Sequence, residues 1–223
     1  MQDVDDPLRD EGEPFSLDKL AQFVQQVEDA LAQQDYATAA SLVEENIAAT
    51  WFGFEPARTS EILKLLTEEV GEAAPLVTAA YRILSASQAG LTNTQALQDQ
   101  LDSEDPKQMF VLAMFRMSDF RVHGMISRAL EQADVIETHL AKMRPRLNPS
   151  GGWLLQAPVQ IGITAMLAGD FSRALTSLMP AQLRPANPKF VFLEREALTK
   201  SALIHATFGN AATATGLLTR AAQ

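Results

Sequence analysis

The sequence predicts an all-α protein, folded as a right-handed superhelix of antiparallel helix pairs: a tetratricopeptide-like α-solenoid of about eleven helices. Three observations predict this class. Apolar residues recur at steps of three and four, which places them on one face of successive helices. We find no strand-like runs in which β-branched and aromatic residues alternate with polar ones. A short turn motif also recurs at intervals typical of helical-pair repeats.

The composition is that of a soluble globular chain. With 223 residues, 47% hydrophobic and 21% charged, it can bury a substantial core. Cysteine is absent, which excludes disulfides, thiolate nucleophiles and zinc sites with sulfur ligands. Neither a signal segment nor an apolar stretch long enough for a membrane span is present in the sequence. We therefore expect a soluble, cytoplasmic protein.

The net charge of −10 is concentrated at the N-terminus. Residues 1–14 hold six acidic residues against Arg9 and account for −5 of it. This pattern predicts a flexible acidic leader before a helical-repeat domain at 15–223. The remaining chain has no basic surplus with which to neutralise a phosphate backbone, so we expect no direct nucleic-acid binding.

The first predicted helix has a marked start and a single apolar face. Its face consists of Leu17, Leu20, Val24, Val27 and Leu31. Ser16 can cap the first turn, and Phe15 can pack against Leu20 as a hydrophobic staple. A second helix is predicted from about Tyr36, and its buried face is Ala39, Ala40, Val43 and Ile47.

Prolines mark the later helix starts, because proline is tolerated in the first turn of a helix. Pro56 and Pro75 are predicted to open the third and fourth helices. The apolar face between these two prolines consists of Ile62, Leu63, Leu65, Leu66 and Val70. Asp105–Pro106 and Asn187–Pro188 each pair a capping side chain with a first-turn proline, and both predict helix starts.

A turn motif recurs along the chain. Ala168, Gly169, Asp170, Phe171 and Ala174 recur as Phe208, Gly209, Asn210, Ala211 and Ala214, and more loosely as Gln33, Gln34, Asp35, Tyr36 and Ala39. Glycine can end one helix, Asp or Asn can cap the next, and alanine lets the two approach closely. Asp170 and Asn210 are 40 residues apart. We predict breaks between helices near Asp35, Gly90, Asp119, Gly169 and Gly209.

The chain resembles the helical-repeat domain of LuxR-type, MalT-like bacterial transcriptional regulators. Residues 28–45 look like that family's helix pair, with an acid-containing turn at Asp35 before an alanine-rich helix. Residues 62–66 are similar to its leucine-rich third helix, and residues 75–90 to a helix that opens at proline and closes at Ala89–Gly90. The resemblance implies a sensor or partner-binding domain that signals to nucleotide-binding and DNA-binding domains outside this chain.

Motifs of those neighbouring domains are missing from the sequence. It contains no Gly-x4-Gly-Lys-Ser/Thr loop to hold phosphates and no basic recognition helix. Residues 211–223 end on a helix that looks unfinished, whereas solenoids usually end in a polar capping element. We therefore expect a fragment of a longer regulator, or a divergent stand-alone relative.

Catalytic and metal-binding patterns are not persuasive, so we predict neither an enzyme nor a cofactor. His123, His139 and His205 are too scattered to present two metal ligands on one helical turn. Acidic pairs such as Glu44–Glu45 lie on amphipathic helices and are explained by solvation. Residues 150–152 form a Ser-Gly-Gly loop that does not match a nucleophile elbow.

Binding candidates are the polar residues that interrupt an apolar helix. Gln156, Gln160 and Thr164 follow Trp153 at steps that form one stripe, which can line a concave groove or simply meet solvent. Pro158 would kink this helix or show that it starts later. Further candidates are the aromatic cluster Trp51, Phe52 and Phe54, and the cations Arg116, Arg121 and Arg195 for an anionic ligand.

Two binding functions follow, one implied by the resemblance and one by the repeat pattern, and catalysis is the weakest interpretation. The first is the regulator's sensor domain, which binds a small-molecule effector or a protein partner. The second is a stand-alone scaffold that holds a peptide or protein segment in its groove.

Overall fold

A computed structural model describes residues 17–88, 106–143, 153–183 and 190–223. These ranges contain eleven α-helices and no strand, which confirms the predicted fold class. The helices are α1 Leu17–Ala32, α2 Tyr36–Glu45, α3 Ile47–Gly53, α4 Pro56–Val70, α5 Pro75–Gln88, α6 Pro106–Val122, α7 Ile126–Met143, α8 Trp153–Leu167, α9 Phe171–Leu183, α10 Val191–Thr207 and α11 Ala211–Ala221. The predicted leader, Phe15 and Ser16 lie outside the described residues.

The helices pack as a helical solenoid. Each long helix contacts its neighbour in the chain, and α6 and α10 both also contact α8. The predicted faces of the early helices are confirmed where they are described, since Leu20, Val27, Ala39, Val43 and Ile47 are all buried. Ile47, however, belongs to the short helix α3, because the chain turns at Asn46.

Four tight turns share one backbone conformation. Gln34, Gly124, Gly169 and Gly209 have φ angles of 58°, 72°, 81° and 75°. At Gly169 the amide of Asp170 donates to the carbonyl of Ala165 at 2.9 Å, and the other three turns repeat this bond with a spacing of five residues. This is the Schellman ending of a helix, which requires a left-handed residue.

The turns test the predicted breaks between helices. Those near Asp35, Gly169 and Gly209 are confirmed, and Gly90 lies outside the described residues. The break near Asp119 is wrong, because Asp119 lies inside α6 and the chain turns at Gly124. The Asp-Phe dipeptide resembled the motif, but the left-handed residue that ends the helix is the glycine five positions later.

The helix starts predicted from prolines are mostly confirmed. A helix begins at Pro56, at Pro75 and at Pro106. Because α3 was not predicted as a separate helix, the helices that begin at Pro56 and Pro75 are the fourth and fifth instead of the third and fourth. The helix predicted to open at Pro188 begins at Val191 instead. Pro158 lies inside α8, so this helix does start at Trp153.

Close packing between α8 and α9 depends on Gly162. A Cβ atom built at this position would lie 2.7 Å from Leu178 Cγ and 3.1 Å from the carbonyl oxygen of Ala174. The two helices therefore approach more closely than an alanine would allow.

The short helix α3 contacts both hydrophobic cores of the described structure. Its residues Ile47 and Ala49 belong to the N-terminal hydrophobic core, whereas Phe52 packs on the C-terminal core. The ring of Trp51 meets that of Phe115 at a centroid distance of 6.2 Å, and the ring of Phe52 meets that of Phe190 at 5.2 Å. Helix α3 thus brings aromatic side chains from the N-terminal part against α6 and α10.

Candidate ligand-binding groove

A concave space opens between α3, α5, α6, α8 and α10, and we call it the groove. Its volume is about 360 Å³. The apolar side chains that line it are Trp51, Leu84, Met114, Phe115, Val122 and Phe192. The polar ones are Ser118, Asp119, Arg121, Gln156 and Gln160. Small-molecule sites typically combine such an apolar wall with a few polar groups.

Three large apolar side chains of the groove are exposed to solvent. Trp51, Val122 and Phe192 are 39%, 67% and 50% accessible. Scattered exposed apolar residues are ordinary, but these three come from three different helices and face one space. Covering them would remove apolar area from water, which favours binding of a ligand with an apolar body.

Arg121 is held against α8. Its Nη2 donates to Gln160 Oε1 at 2.6 Å, and its Nη1 donates to the Gln160 carbonyl oxygen at 3.3 Å and to Thr164 Oγ1 at 3.4 Å. Burial lowers the pKa of Arg121, and the negative charge of Glu196 acts in the opposite direction. Both terminal nitrogens of Arg121 therefore already donate to α8.

Asp119 and Arg121 lie on opposite flanks of the α6 face that lines the groove, because residues two apart on a helix point about 200° away from each other. It is only 5% exposed. Its Oδ1 lies 3.3 Å from His123 Nδ1, but that nitrogen meets the Asp119 carbonyl oxygen at 2.9 Å. Because a carbonyl can only accept, we assign the Nδ1 hydrogen to that carbonyl, and Asp119 Oδ1 then has no well-formed hydrogen bond with any described residue.

The environment of Asp119 disfavours its charged form. Burial raises the pKa of the Asp119 carboxyl group, and the nearby His123 partly counteracts this rise. A buried oxygen without a hydrogen bond is costly, and such groups are concentrated at functional sites.

Gln156 supplies a second acceptor without a partner. Its Oε1 atom is buried and forms no hydrogen bond with any described residue. Gln156 lies one helical turn before Gln160 on α8, and both line the groove. The groove lining thus includes two residues with a buried acceptor to which no described residue donates: Gln156, through Oε1, and Asp119, through Oδ1.

The structure separates the predicted site residues. Gln156 and Gln160 line the groove, as the predicted stripe requires. Thr164 is fully buried beneath it, where its hydroxyl donates to the Gln160 carbonyl at 2.9 Å. Trp153 begins α8, and its side chain is not among those described. A ligand-binding role for these residues stays a prediction.

The other candidates are also separated. Of the aromatic cluster, Trp51 lines the groove, Phe52 packs on Phe190, and Phe54 packs on Phe23 in the core. Of the cations, Arg121 belongs to the groove lining, whereas Arg116 and Arg195 do not.

Apart from Arg121, the groove residues of α6 were not predicted from the sequence. Met114, Phe115, Ser118, Asp119 and Val122 all line the groove. One signal was available, because Ser118 and Asp119 follow a largely apolar run in α6. The contributions of Leu84 and Phe192 carry no comparable signal, since an apolar residue on a helix gives no indication of which surface it lines.

The described residues contain no group of three or more His, Asp or Glu side chains placed to hold a metal ion. None of their helices combines the length and the apolar character needed to cross a lipid bilayer.

Comparisons with known proteins give no further assignment. No family model, no curated protein and no solved structure matches the chain.

Proposed function

We propose that this chain is a non-catalytic sensor domain whose groove binds a small organic effector. The observation that carries the proposal is the groove itself, with exposed aromatic walls and two buried acceptors that lack donors. Its volume of about 360 Å³ falls within the range of small-molecule sites. A cytoplasmic bacterial regulator of the LuxR type, with DNA-binding and nucleotide-binding domains outside this chain, is the setting that we propose.

The position of the groove supports a signalling role. Its lining comes from α3, α5, α6, α8 and α10, which belong to several successive helix pairs. A ligand that contacts all of them binds best to one relative arrangement of these pairs and so shifts the population toward it. The shift would extend to neighbouring domains through the stacked helices, because each pair packs directly on the next.

A library of metabolites and sugars tests the proposal by thermal shift. A ligand that binds the folded state alone raises the melting temperature, because binding stabilises that state by RT ln(1 + c/Kd), where c is the free ligand concentration. If no compound raises it, small-molecule sensing is rejected. For any compound that does, alanine at both Gln156 and Gln160 should weaken binding, and unchanged affinity would remove these two residues from the site.

A groove-filling variant gives the matched control. Ser118→Phe places a ring in the groove and should abolish the ligand-induced shift, because Ser118 lines this space. Ser127→Phe makes the same substitution at an exposed position of α7 and should leave the shift intact. A shift that survives Ser118→Phe would show that the ligand binds elsewhere, and loss in both variants would show that the effect of phenylalanine is not specific to the groove.

A stand-alone scaffold for a peptide or protein partner is the second candidate. It is favoured by exposed apolar side chains on the last helix pair, where Leu203, Phe208 and Leu218 are 56%, 61% and 49% accessible. Coding sequence on either side of this chain discriminates the two. An adjoining nucleotide-binding or helix-turn-helix domain favours the regulator, and a stop codon after Gln223 favours the scaffold.

A further inference from the structure

The groove is selective in the chemistry it can satisfy. Its two unsatisfied groups, Asp119 Oδ1 and Gln156 Oε1, are both hydrogen-bond acceptors. Its cation, Arg121, already donates to Gln160 through both terminal nitrogens. These two acceptors call for a donor from the ligand, and an anionic ligand would bring them only further acceptors.

The charge of the groove indicates which donor fits. Asp119 is nine-tenths or more buried, so its carboxylate loses hydration that no cation of the groove replaces by a hydrogen bond. A protonated amine would restore that interaction, and charge-assisted hydrogen bonds are the strongest of those available. His123 is close to Asp119, but its Nδ1 hydrogen is directed at a backbone carbonyl.

The walls are suited to the rest of such a molecule. Trp51 and Phe115 stand edge to face at 6.2 Å, and Phe192 adds a third ring to the lining. Aromatic faces attract organic cations, and their area favours an apolar body.

We propose that the ligand class of the groove is an organic amine: a protonated primary or secondary ammonium group on an aromatic or branched apolar body. The ammonium group would pair with the carboxylate of Asp119, beside the side chain of Gln156, and the body would pack against Trp51, Phe115 and Phe192. This inference rests on the proposed sensor function, since it names the chemistry of the same groove.

Three probes of nearly equal size test the inference: 2-phenylethylamine, 2-phenylethanol and 3-phenylpropanoate. Binding is followed at pH 7, where a primary amine is protonated. The chain contains two tryptophans. In a Trp153→Phe background, fluorescence therefore reports on Trp51 in the groove, and titration calorimetry provides a second readout.

The amine should bind at least about tenfold more tightly than the alcohol, because a hydrogen bond to a charged group exceeds one to a neutral group by roughly that factor. Asp119→Asn should weaken the amine by about tenfold or more and leave the alcohol within about twofold. Glu131→Gln, which removes an exposed carboxylate of α7, should change neither affinity.

Two outcomes overturn the inference. Equal or tighter binding of the alcohol or of the carboxylate would show that the groove does not select a cation, although the sensor function would stand. Absence of binding by all three probes would also reject an amine site, and the library screen then decides whether the groove binds any small molecule. The comparison of probes on the unsubstituted Asp119 protein holds even if Asp119→Asn fails to fold.

Discussion

One substitution, glycine to alanine, is expected to have opposite effects at two helical positions of this chain. In α8, the new Cβ of Gly162→Ala would lie 2.7 Å and 2.9 Å from Leu178 Cγ and Cδ2, and 3.1 Å from the backbone oxygen of Ala174. In α11, the new Cβ of Gly216→Ala would meet no atom of another helix within 4 Å among the described residues. The contrast isolates packing from helix propensity.

The expected magnitudes follow from these distances. Alanine is favoured over glycine inside a helix by about 1 kcal/mol, and Gly216→Ala should gain up to this amount. Gly162→Ala gains the same propensity, but overpacking a tight core costs about 1–3 kcal/mol, and a backbone oxygen cannot move aside as a side chain can. We expect a net destabilisation of about 1 kcal/mol.

Urea unfolding followed by circular dichroism measures both changes, with the free energy of unfolding extrapolated to water. A double-mutant cycle with Leu178→Ala should reduce the cost of Gly162→Ala, because the nearest clashing atoms are then removed. If Gly162→Ala stabilises the protein as much as Gly216→Ala does, the inference that α8 and α9 pack too closely for a Cβ atom is wrong.

Three further predictions concern turns and charges. Gly169→Ala should destabilise by about 1 kcal/mol and Gln34→Gly should stabilise by up to about that amount in urea unfolding, because both positions have positive φ; equal signs would contradict this. Arg58→Ala should cost about 0.5 kcal/mol at neutral pH, since Glu28 Oε2 lies 2.7 Å from its Nη2 but both side chains are over a third exposed. Because Arg58 lowers the Glu28 pKa, this stability is present above the ordinary pKa of 4.5 and is lost as pH falls through the lowered value; a cost that persists below it would refute the pairing. Asp119→Asn should raise the melting temperature of the ligand-free protein at pH 7, because burial raises the Asp119 pKa above 3.8 and its charged form is disfavoured; the gain should vanish at low pH, where the carboxyl group is neutral, and a gain independent of pH would contradict this cause.

The groove illustrates how far the sequence reaches into the site. The steps of four residues on α8 predicted that Gln156 and Gln160 share a face, and both line the groove. The same stripe included Thr164, which the packing of α8 buries completely. Helical periodicity fixes which residues share a face, but only the neighbouring helices decide which part of that face is covered.

The sequence by itself determined the class of fold and most of the helix starts and turns. Helix starts at Pro56, Pro75 and Pro106 and turns at Gly169 and Gly209 follow from local chemistry, because caps and left-handed residues act within one helical turn. Such signals involve residues a few positions apart, so they can be read from the order of amino acids alone.

Only the tertiary structure decided where the groove lies and what it offers. Trp51 of α3, Asp119 of α6 and Phe192 of α10 are far apart along the chain and become neighbours through helix packing. The burial that leaves Asp119 Oδ1 without a donor likewise depends on the surrounding helices. Hydration, burial and long-range contact are properties of the assembled solenoid, and for this reason the sequence predicted a binding protein while the packing defined its groove.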